Sequence, residues 1–168
     1  MQSRQEQLLT KSMIKIEPFT IVGISEIGPS SFNNSEGSGA KFADTVWQKF
    51  IPMVLNAGLS SQRVMYGVSW PADANVPPQE IHYFAGFELK PGEPSAGFKS
   101  LDITGGNYFA HTYIGSMANI DLGFMDAYTV ALPGSGLSNR EGQHLEVYPA
   151  NYDPAAPEIT FQILIPVE

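Results

Sequence analysis

The 168-residue sequence contains no cysteine, which excludes disulfide bonds, thiolate metal sites and a cysteine nucleophile. It also has no apolar run near the roughly 18 residues that a membrane-spanning helix requires. The first residues, MQSRQEQLLTKS, lack the apolar core of a secretory signal. These absences indicate a chain that is neither inserted in a membrane nor exported, and we expect it in the cytoplasm.

Basic residues are scarce as well. Nine Lys and Arg residues stand against 17 Asp and Glu residues, so the formal net charge is −8. The basic residues are scattered rather than gathered into a stripe, and a net negative charge repels nucleic-acid phosphates. Direct nucleic-acid binding is therefore not expected, whereas the acidity gives a mild long-range attraction for cations.

Apolar residues, by contrast, are plentiful enough for one compact domain. Hydrophobic residues make up 43% of the chain and charged residues 15%, a composition typical of a soluble protein with a single core. We assign residues 13–168 to this domain and residues 1–12 to a flexible N-terminal tail. The tail is too short and polar for a helix-turn-helix, so we expect a module that stands alone.

Hydrophobic patterning predicts the order strand, loop, helix, strand, strand, and predicts that this order occurs twice along the chain. In the first series the helix places Phe42, Val46, Phe50 and Val54 on one face and ends at Gly58. In the second series a strand bends at Gly105-Gly106, and the helix that follows stops before Pro133. The predicted strands are 14–27, 63–70, 80–89, 99–115, 144–149 and 157–167, the loop is 29–39, and the helices begin at residues 41 and 119.

An internal repeat accompanies this pattern. A shift of 78 positions places Gly58-Leu59 on Gly136-Leu137, Glu80-Ile81 on Glu158-Ile159 and Tyr83 on Phe161. Two β-α-β-β units predict an α+β domain with pseudo-twofold symmetry, an antiparallel sheet and helices on one side of it. The groove between the two halves is a natural ligand site.

The stretch HLEVYP places one carboxylate between two apolar residues. Strand geometry puts His144, Glu146 and Tyr148 on one face and Leu145 and Val147 on the other. A Glu in a strand usually faces solvent. The stretch alone therefore leaves open whether Glu146 meets water or an enclosed space.

Motifs for other chemistry are missing. His82, His111 and His144 have no metal-ligand spacing, so we predict no metal and no cofactor. The glycine-containing stretches GSGLS and ITGGNY match neither a nucleophile elbow nor a phosphate-binding loop. Serine catalysis and nucleotide binding are not indicated.

Several short motifs, taken in order, resemble the GyrI-like small-molecule-binding domain, the effector-binding module of multidrug-responsive and AraC-type transcription regulators. They are FTIVGIS, YGVSW before a proline-rich turn, EIHYFAGFEL, YFAHTYIG, LEVYP and the terminal ILIPV. The resemblance covers residues 13–168. It implies a pair of β-α-β-β units around a central groove that accepts bulky, often cationic, aromatic compounds.

The resemblance also implies site residues. By motif position, Glu146 is the carboxylate that projects into the groove, and Tyr148 is its aromatic neighbour. Gln162 stands where many family members carry an acidic residue, so it would contact a ligand as a neutral hydrogen-bonding group. Aromatic residues at such positions are often ordinary core. The candidate aromatic walls are Trp47, Tyr66, Tyr83, Phe109 and Tyr128.

Three functions follow from the resemblance. The first is binding or sequestering of amphipathic, cationic aromatic compounds, without catalysis. The second is hydrolysis of reactive cyclopropane-type ring compounds, with Glu146 as the catalytic acid–base and Tyr148 or Trp47 beside it. The third is inhibition of a protein partner, as in inhibitors of DNA gyrase, through loops 29–39 and 71–79. A homodimer is compatible with each of them.

Overall fold

The structure, a computed structural model, describes residues 13–30, 38–75, 78–95 and 97–168. The predicted tail at residues 1–12 and most of the predicted loop at residues 29–39 lie outside the described residues. Eight strands form one antiparallel sheet in the order β1-β6-β8-β7-β3-β4-β2-β5. The strands are β1 (Met13–Ile16), β2 (Phe19–Pro29), β3 (Met65–Pro71), β4 (Glu80–Phe87), β5 (Lys99–Ile103), β6 (Gly106–Gly115), β7 (His144–Tyr148) and β8 (Ile159–Pro166).

The helices cover one face of this sheet, which confirms the predicted α+β class. The first half contributes α1 (Ser38–Asn56), and the second half contributes a composite helical segment. No helix within the described ranges has both the length and the apolar character needed to cross a membrane. The second helical segment consists of a 3₁₀ turn (Met117–Asn119), α2 (Ile120–Asp126), a π-helical turn (Ala127–Ala131) and α3 (Leu132–Ser135).

Two of the predicted strands are each divided in the structure. Pro18 interrupts the first one, since proline cannot donate a ladder hydrogen bond, so β1 pairs with β6 while β2 pairs with β4 and β5. The bend at Gly105-Gly106 likewise separates β5 from β6. A Cβ on Gly105 would lie 2.7 Å from Cδ of Pro18. The interruptions of the two predicted strands therefore lie in contact with each other. Each half therefore supplies an edge strand to the other half.

The sheet order confirms the predicted pseudo-twofold symmetry. Strands β1, β6, β8 and β7 on one side correspond to β5, β2, β4 and β3 on the other, so the approximate axis passes between β7 and β3. Gly58 and Gly136 end the two helical regions at φ values of 76° and 77°. Gly58 N–H donates to Leu55 and Leu59 N–H donates to Val54, the Schellman arrangement that favours glycine.

The second helical segment continues through Pro133, which corrects the prediction that it stops before this residue. The π-helical turn Ala127–Ala131 directly precedes α3, and Pro133 lies in the first turn of α3. Leu132 N–H donates to the carbonyl of Ala127, five residues earlier, so the hydrogen-bond register changes directly before Pro133, which has no N–H to donate. The residues of this segment that line the cleft described below lie between Met117 and Leu132, before Pro133.

Apolar residues on both faces of the sheet form the core. Under α1, the predicted face residues Val46, Phe50 and Val54 are fully buried against β2 and β4. A matching cluster lies under the second helical segment. The face without helices is covered by side chains of the curled sheet itself, and Leu145 belongs to this third cluster. Burial on both sides fixes the register of the central strands.

Candidate ligand-binding cleft

A cleft of about 1640 Å³ lies between α1 and the second helical segment, above the central strands. Strands β3, β4 and β7 form its floor because they lie next to the pseudo-twofold axis, where neither helical region covers the sheet. Trp47 and Ile51 line it from α1, and Phe124 and Tyr128 line it from the second helical segment. The cleft is large enough for a drug-sized molecule.

Glu146 lies on the floor of this cleft. Its neighbours Leu145 and Val147 pack into the cluster on the opposite face of the sheet, so alternation along β7 directs Glu146 toward the cleft with His144 and Tyr148. The side chain of Glu146 is half-buried. The structure thus places this carboxylate in an enclosed space rather than in bulk water.

Two tyrosines hold the carboxylate. Tyr83 donates to Oε1 of Glu146 at 2.9 Å, and Tyr148 donates to the same oxygen at 2.5 Å. Trp47 Nε1–H donates in turn to the Tyr83 hydroxyl at 2.8 Å. Oε2 of Glu146 accepts no hydrogen bond from the described residues. One carboxylate oxygen is therefore held by two hydrogen bonds, and the other has no hydrogen-bond donor among the described residues.

The electrostatics of the cleft disfavour an unpaired negative charge on Glu146. Burial raises the pKa of Glu146 above its ordinary value, although the hydrogen bonds from Tyr148 and Tyr83 act in the opposite direction. Burial and the nearby Glu146 charge both raise the pKa of Tyr83 and Tyr148, so these phenols remain protonated donors. A cation entering the cleft would offset the cost of desolvating the carboxylate.

The two guanidinium groups that line the cleft are engaged elsewhere. Arg63 makes two hydrogen bonds with Glu93, at 2.9 and 2.6 Å, and lies over the ring of Phe87. Arg140 donates to the backbone carbonyl of Val167. Neither guanidinium is hydrogen-bonded to Glu146. The carboxylates lining the cleft are Asp44, Asp73, Asp121, Glu141 and Glu146, so the lining is acidic.

Gly67 makes room for the hydrogen-bonded carboxylate. It faces Glu146 in the ladder between β3 and β7 and lies at the middle of that ladder, next to the pseudo-twofold axis. A Cβ on Gly67 would lie 2.2 Å from the Tyr83 hydroxyl and 2.9 Å from Oε1 of Glu146. The hydrogen-bonded Tyr83 and Glu146 side chains therefore occupy the space that a side chain at this position would need. The sequence reasoning missed this glycine, although YGVSW shows it inside a strand, where glycine often marks a close approach.

Aromatic rings surround the carboxylate. Tyr148 packs edge-on against Trp47 with ring centroids 5.5 Å apart, and its ring stacks on Phe161 at 4.9 Å. Tyr152, which was not predicted, lies 4.7 Å from Tyr148 and lines the cleft. Tyr152 lies in the turn after β7, where no strand or helix periodicity indicates which face a side chain shares. Burial and the Glu146 charge raise the pKa of Tyr152 to about 12.

A sequence profile of the GyrI-like small-molecule-binding domain matches residues 11–168. This match spans nearly the whole chain. The chain belongs to the GyrI-like family. This family is described as a small-molecule-binding domain, and the acidic, aromatic-lined cleft is the candidate site for such a molecule. Within the part of the chain that the structure describes, no group of three or more His, Asp or Glu side chains is arranged to hold a metal ion.

Relatives of this GyrI-like domain include a regulator and several solved structures. It is 29% identical over 149 residues to the transcriptional regulator BrlR of Pseudomonas aeruginosa, with 85% of this chain and 52% of BrlR covered. The chain therefore spans about half of BrlR. SAV2435 bound to tetraphenylphosphonium shares the fold at a TM-score of 0.66 and 15% identity, covering 93% of this chain and 92% of that one. An integron cassette protein from Vibrio cholerae has a TM-score of 0.63 at 17% identity, covering 93% and 94%.

Five of the predicted site residues line the cleft of this GyrI-like domain and three do not. The five are Glu146, Tyr148, Trp47, Tyr83 and Tyr128. Tyr66 points to the opposite face of β3, where its ring lies 5.2 Å from Phe19, because it alternates with the cleft-facing Met65 and Gly67. The placement of Tyr66 was not predictable, since the sequence of the strand did not determine which of its faces would line the groove.

The other two misplaced candidates lie on β6 and β8. Phe109 is buried in the core beneath the second helical segment and pairs with Ile165 in the ladder. Gln162 is exposed on the helix-free face of β8, opposite the buried Phe161 and Ile163. Neither lines the cleft, so neither is retained as a ligand contact.

Proposed function

We propose that this GyrI-like domain binds amphipathic, cationic aromatic compounds, with Glu146 as the carboxylate that meets the positive charge. The observation that carries the proposal is the environment of Glu146. One oxygen is held by Tyr83 and Tyr148, while the other accepts no hydrogen bond from the described residues and faces a large aromatic-lined cleft.

The chemistry of the cleft supports selection by charge and flatness. A half-buried carboxylate without a cationic partner gains more from a cation than from a neutral molecule. The faces and edges of Trp47, Tyr148 and Tyr152 offer contact area and cation–π attraction with little loss of side-chain entropy. Such contacts require no exact pattern of hydrogen bonds, so we expect several cations of different shape to bind.

The relatives suggest the first ligand to use and a biological role. SAV2435 binds tetraphenylphosphonium, and although the likeness to this chain extends only to the fold, that aromatic cation matches the chemistry of the cleft. BrlR is a transcriptional regulator of which this chain covers about half. We propose that the domain senses or sequesters such cations, with the bound state as its output.

Direct titration tests the proposal. Trp47 lies in the cleft, so we expect tetraphenylphosphonium and planar cationic dyes to change tryptophan fluorescence saturably. Isothermal titration calorimetry would give the stoichiometry independently. Glu158→Gln is a suitable control variant, because Glu158 is exposed and outside the cleft, and it should bind like the wild type. Absence of saturable binding by every member of a diverse cation panel would refute the proposal.

Hydrolysis is the second candidate function, favoured by the raised pKa of Glu146. A desolvated carboxyl group can take a proton from water that attacks an electrophilic ring carbon, and can return a proton to the carbon that leaves as the ring bond opens. Tyr83 and Tyr148 would hold the carboxyl group in position. Incubation with an electrophilic cyclopropane and detection of the water adduct by mass spectrometry distinguishes hydrolysis from binding alone. Unchanged substrate after prolonged incubation would eliminate this candidate.

A further inference from the structure

A second polar group lies in the cleft beside the carboxylate. His144 precedes Glu146 by two residues on β7, and Tyr128 lies across from it on the π-helical turn; both line the cleft. The Tyr128 hydroxyl is 2.6 Å from Nδ1 of His144, and the two rings are tilted by 30° with centroids 5.6 Å apart. A side chain from the floor of the cleft and one from its helical wall thus form one hydrogen-bonded pair.

The pair is electrically neutral. Burial lowers the pKa of His144 to about 4, and the positive charge of Arg140 acts in the same direction. Burial also raises the pKa of Tyr128. At neutral pH the cleft therefore combines the Glu146 carboxyl group with a neutral imidazole–phenol pair.

The hydrogen bond to Tyr128 determines what His144 offers to a ligand. An imidazole nitrogen is a strong acceptor and a protonated phenol is a good donor, so we assign the proton between them to the hydroxyl. A neutral imidazole with Nδ1 as acceptor carries its own proton on Nε2. Nε2 has no hydrogen-bond partner among the described residues. His144 is thus an N–H donor at the surface of the cleft.

The strand sets the distance between the two polar groups. Residues two apart on the same face of a strand are separated by about 7 Å, and His144 and Glu146 both face the cleft. A ligand that reaches both would span part of an aromatic ring system. The rings of Trp47 and Tyr148 on one side and Phe124 on the other bound that space.

We propose that His144, oriented by Tyr128, is a specificity-determining residue that donates from Nε2 to a hydrogen-bond acceptor carried by the ligand about 7 Å from its positive charge. The proposal rests on the proposed function and narrows it. The favoured ligands are aromatic cations that also bear a carbonyl or similar oxygen on the ring system. A cation without such an oxygen uses Glu146 alone.

Two matched probes test this inference. Tetraphenylphosphonium has no hydrogen-bond acceptor, whereas (4-acetylphenyl)triphenylphosphonium carries one carbonyl at a comparable spacing from phosphorus. For the wild type we expect tighter binding of the acetyl compound. His144→Phe should remove this preference, weakening the acetyl compound by about threefold to tenfold, the usual net value of one hydrogen bond. The readout is the ratio of the two affinities, because a phenyl ring in the cleft can change the affinity for both probes, and circular dichroism checks that the variant is folded.

Two further variants separate hydrogen bonding from ring packing. Tyr128→Phe keeps the ring but no longer holds the imidazole with its proton on Nε2, so we expect a partial loss of the preference. His144→Gln retains an N–H donor and should recover part of what His144→Phe loses. Equal effects of His144→Phe on both probes, or no effect on either, would overturn the inference and leave the proposed function intact.

The Glu146→Gln variant tests charge recognition by Glu146 separately from hydrogen bonding by His144. It should weaken both probes, since both are cations. If Glu146→Gln binds both probes as tightly as the wild type, charge recognition by Glu146 is wrong, whatever His144 does. If the wild-type domain binds other cations of the panel but shows no preference for the acetyl compound, this inference is refuted and the proposed function stands.

Discussion

Glu146→Gln is the most informative single substitution in this domain, because it removes the charge while keeping the size of the side chain. Oε1 of Glu146 accepts hydrogen bonds from Tyr83 at 2.9 Å and Tyr148 at 2.5 Å. The amide oxygen of Gln can accept the same two. Its NH₂ group then takes the place of Oε2 and presents donors to the cleft, where the wild type presents a carboxylate oxygen.

The expected loss follows from this exchange. Two unit charges about 6–10 Å apart attract each other by roughly 1.7–2.8 kcal/mol at an effective dielectric constant of about 20, and each ~1.4 kcal/mol corresponds to a factor of ten in Kd. Cationic ligands should therefore bind Glu146→Gln about tenfold to a hundredfold more weakly. The aromatic contacts from Trp47 and Tyr152 are unchanged, so a neutral ligand of the same shape should retain its affinity.

Nile blue and Nile red form a suitable pair of ligands for this assay. They share a planar ring system, but Nile blue carries a positive iminium group where neutral Nile red carries a carbonyl. Fluorescence titration of wild type, Glu146→Gln and the control Glu158→Gln with both dyes gives the ratio of affinities directly. Equal weakening of both dyes by Glu146→Gln would show that the carboxylate shapes the cleft rather than recognising charge, and the reasoning would fail.

Further predictions concern pH and the contacts around Glu146. Because burial raises the pKa of Glu146, cation affinity should fall on acidification with a midpoint above the ordinary Glu value of about 4.3; a midpoint at or below that value in dye titrations would contradict the desolvation argument. The raised folded-state pKa also means that the contribution of Glu146 to stability is full below the unfolded pKa and is lost as pH rises through the folded pKa. Unliganded Glu146→Gln should therefore be at least as stable as the wild type to urea at neutral pH, and a clearly less stable variant would contradict this sign. Tyr83→Phe leaves Trp47 Nε1–H without its acceptor and should lower the free energy of unfolding by about 1–3 kcal/mol, while moving the pH midpoint of binding upward; an unchanged midpoint would show that the Tyr83 hydrogen bond does not tune the carboxylate. Gly67→Ala places a Cβ 2.2 Å from the Tyr83 hydroxyl and should abolish tight cation binding, whereas Gly134→Ala, whose Cβ meets nothing within 4 Å, should not; equal affinities of the two variants would refute the close-packing argument.

Local patterns in the sequence predicted the fold well. Alternation in HLEVYP put Glu146 and Tyr148 on one face of a strand, the four-residue spacing of Val46, Phe50 and Val54 predicted the buried face of α1, and Gly58 was predicted to end it. Such features depend on neighbours in the chain, since strand and helix periodicities are set by backbone geometry. The ordered motifs added the family resemblance, and with it the position of Glu146.

The tertiary structure decided which faces meet. Tyr66 and Tyr83 are both tyrosines in central strands, yet one packs on Phe19 behind the sheet and the other holds Glu146. Strand periodicity shows only which residues share a face of the strand. Which of the two faces lines the cleft depends on where α1 and the second helical segment pack. Contacts between residues far apart in the chain also determine three other features. They are the exchange of edge strands at Pro18 and Gly105, the close packing at Gly67 and the hydrogen bond between His144 and Tyr128. Long-range packing therefore assembles the site, because its side chains come from five separate segments that converge only at the pseudo-twofold axis.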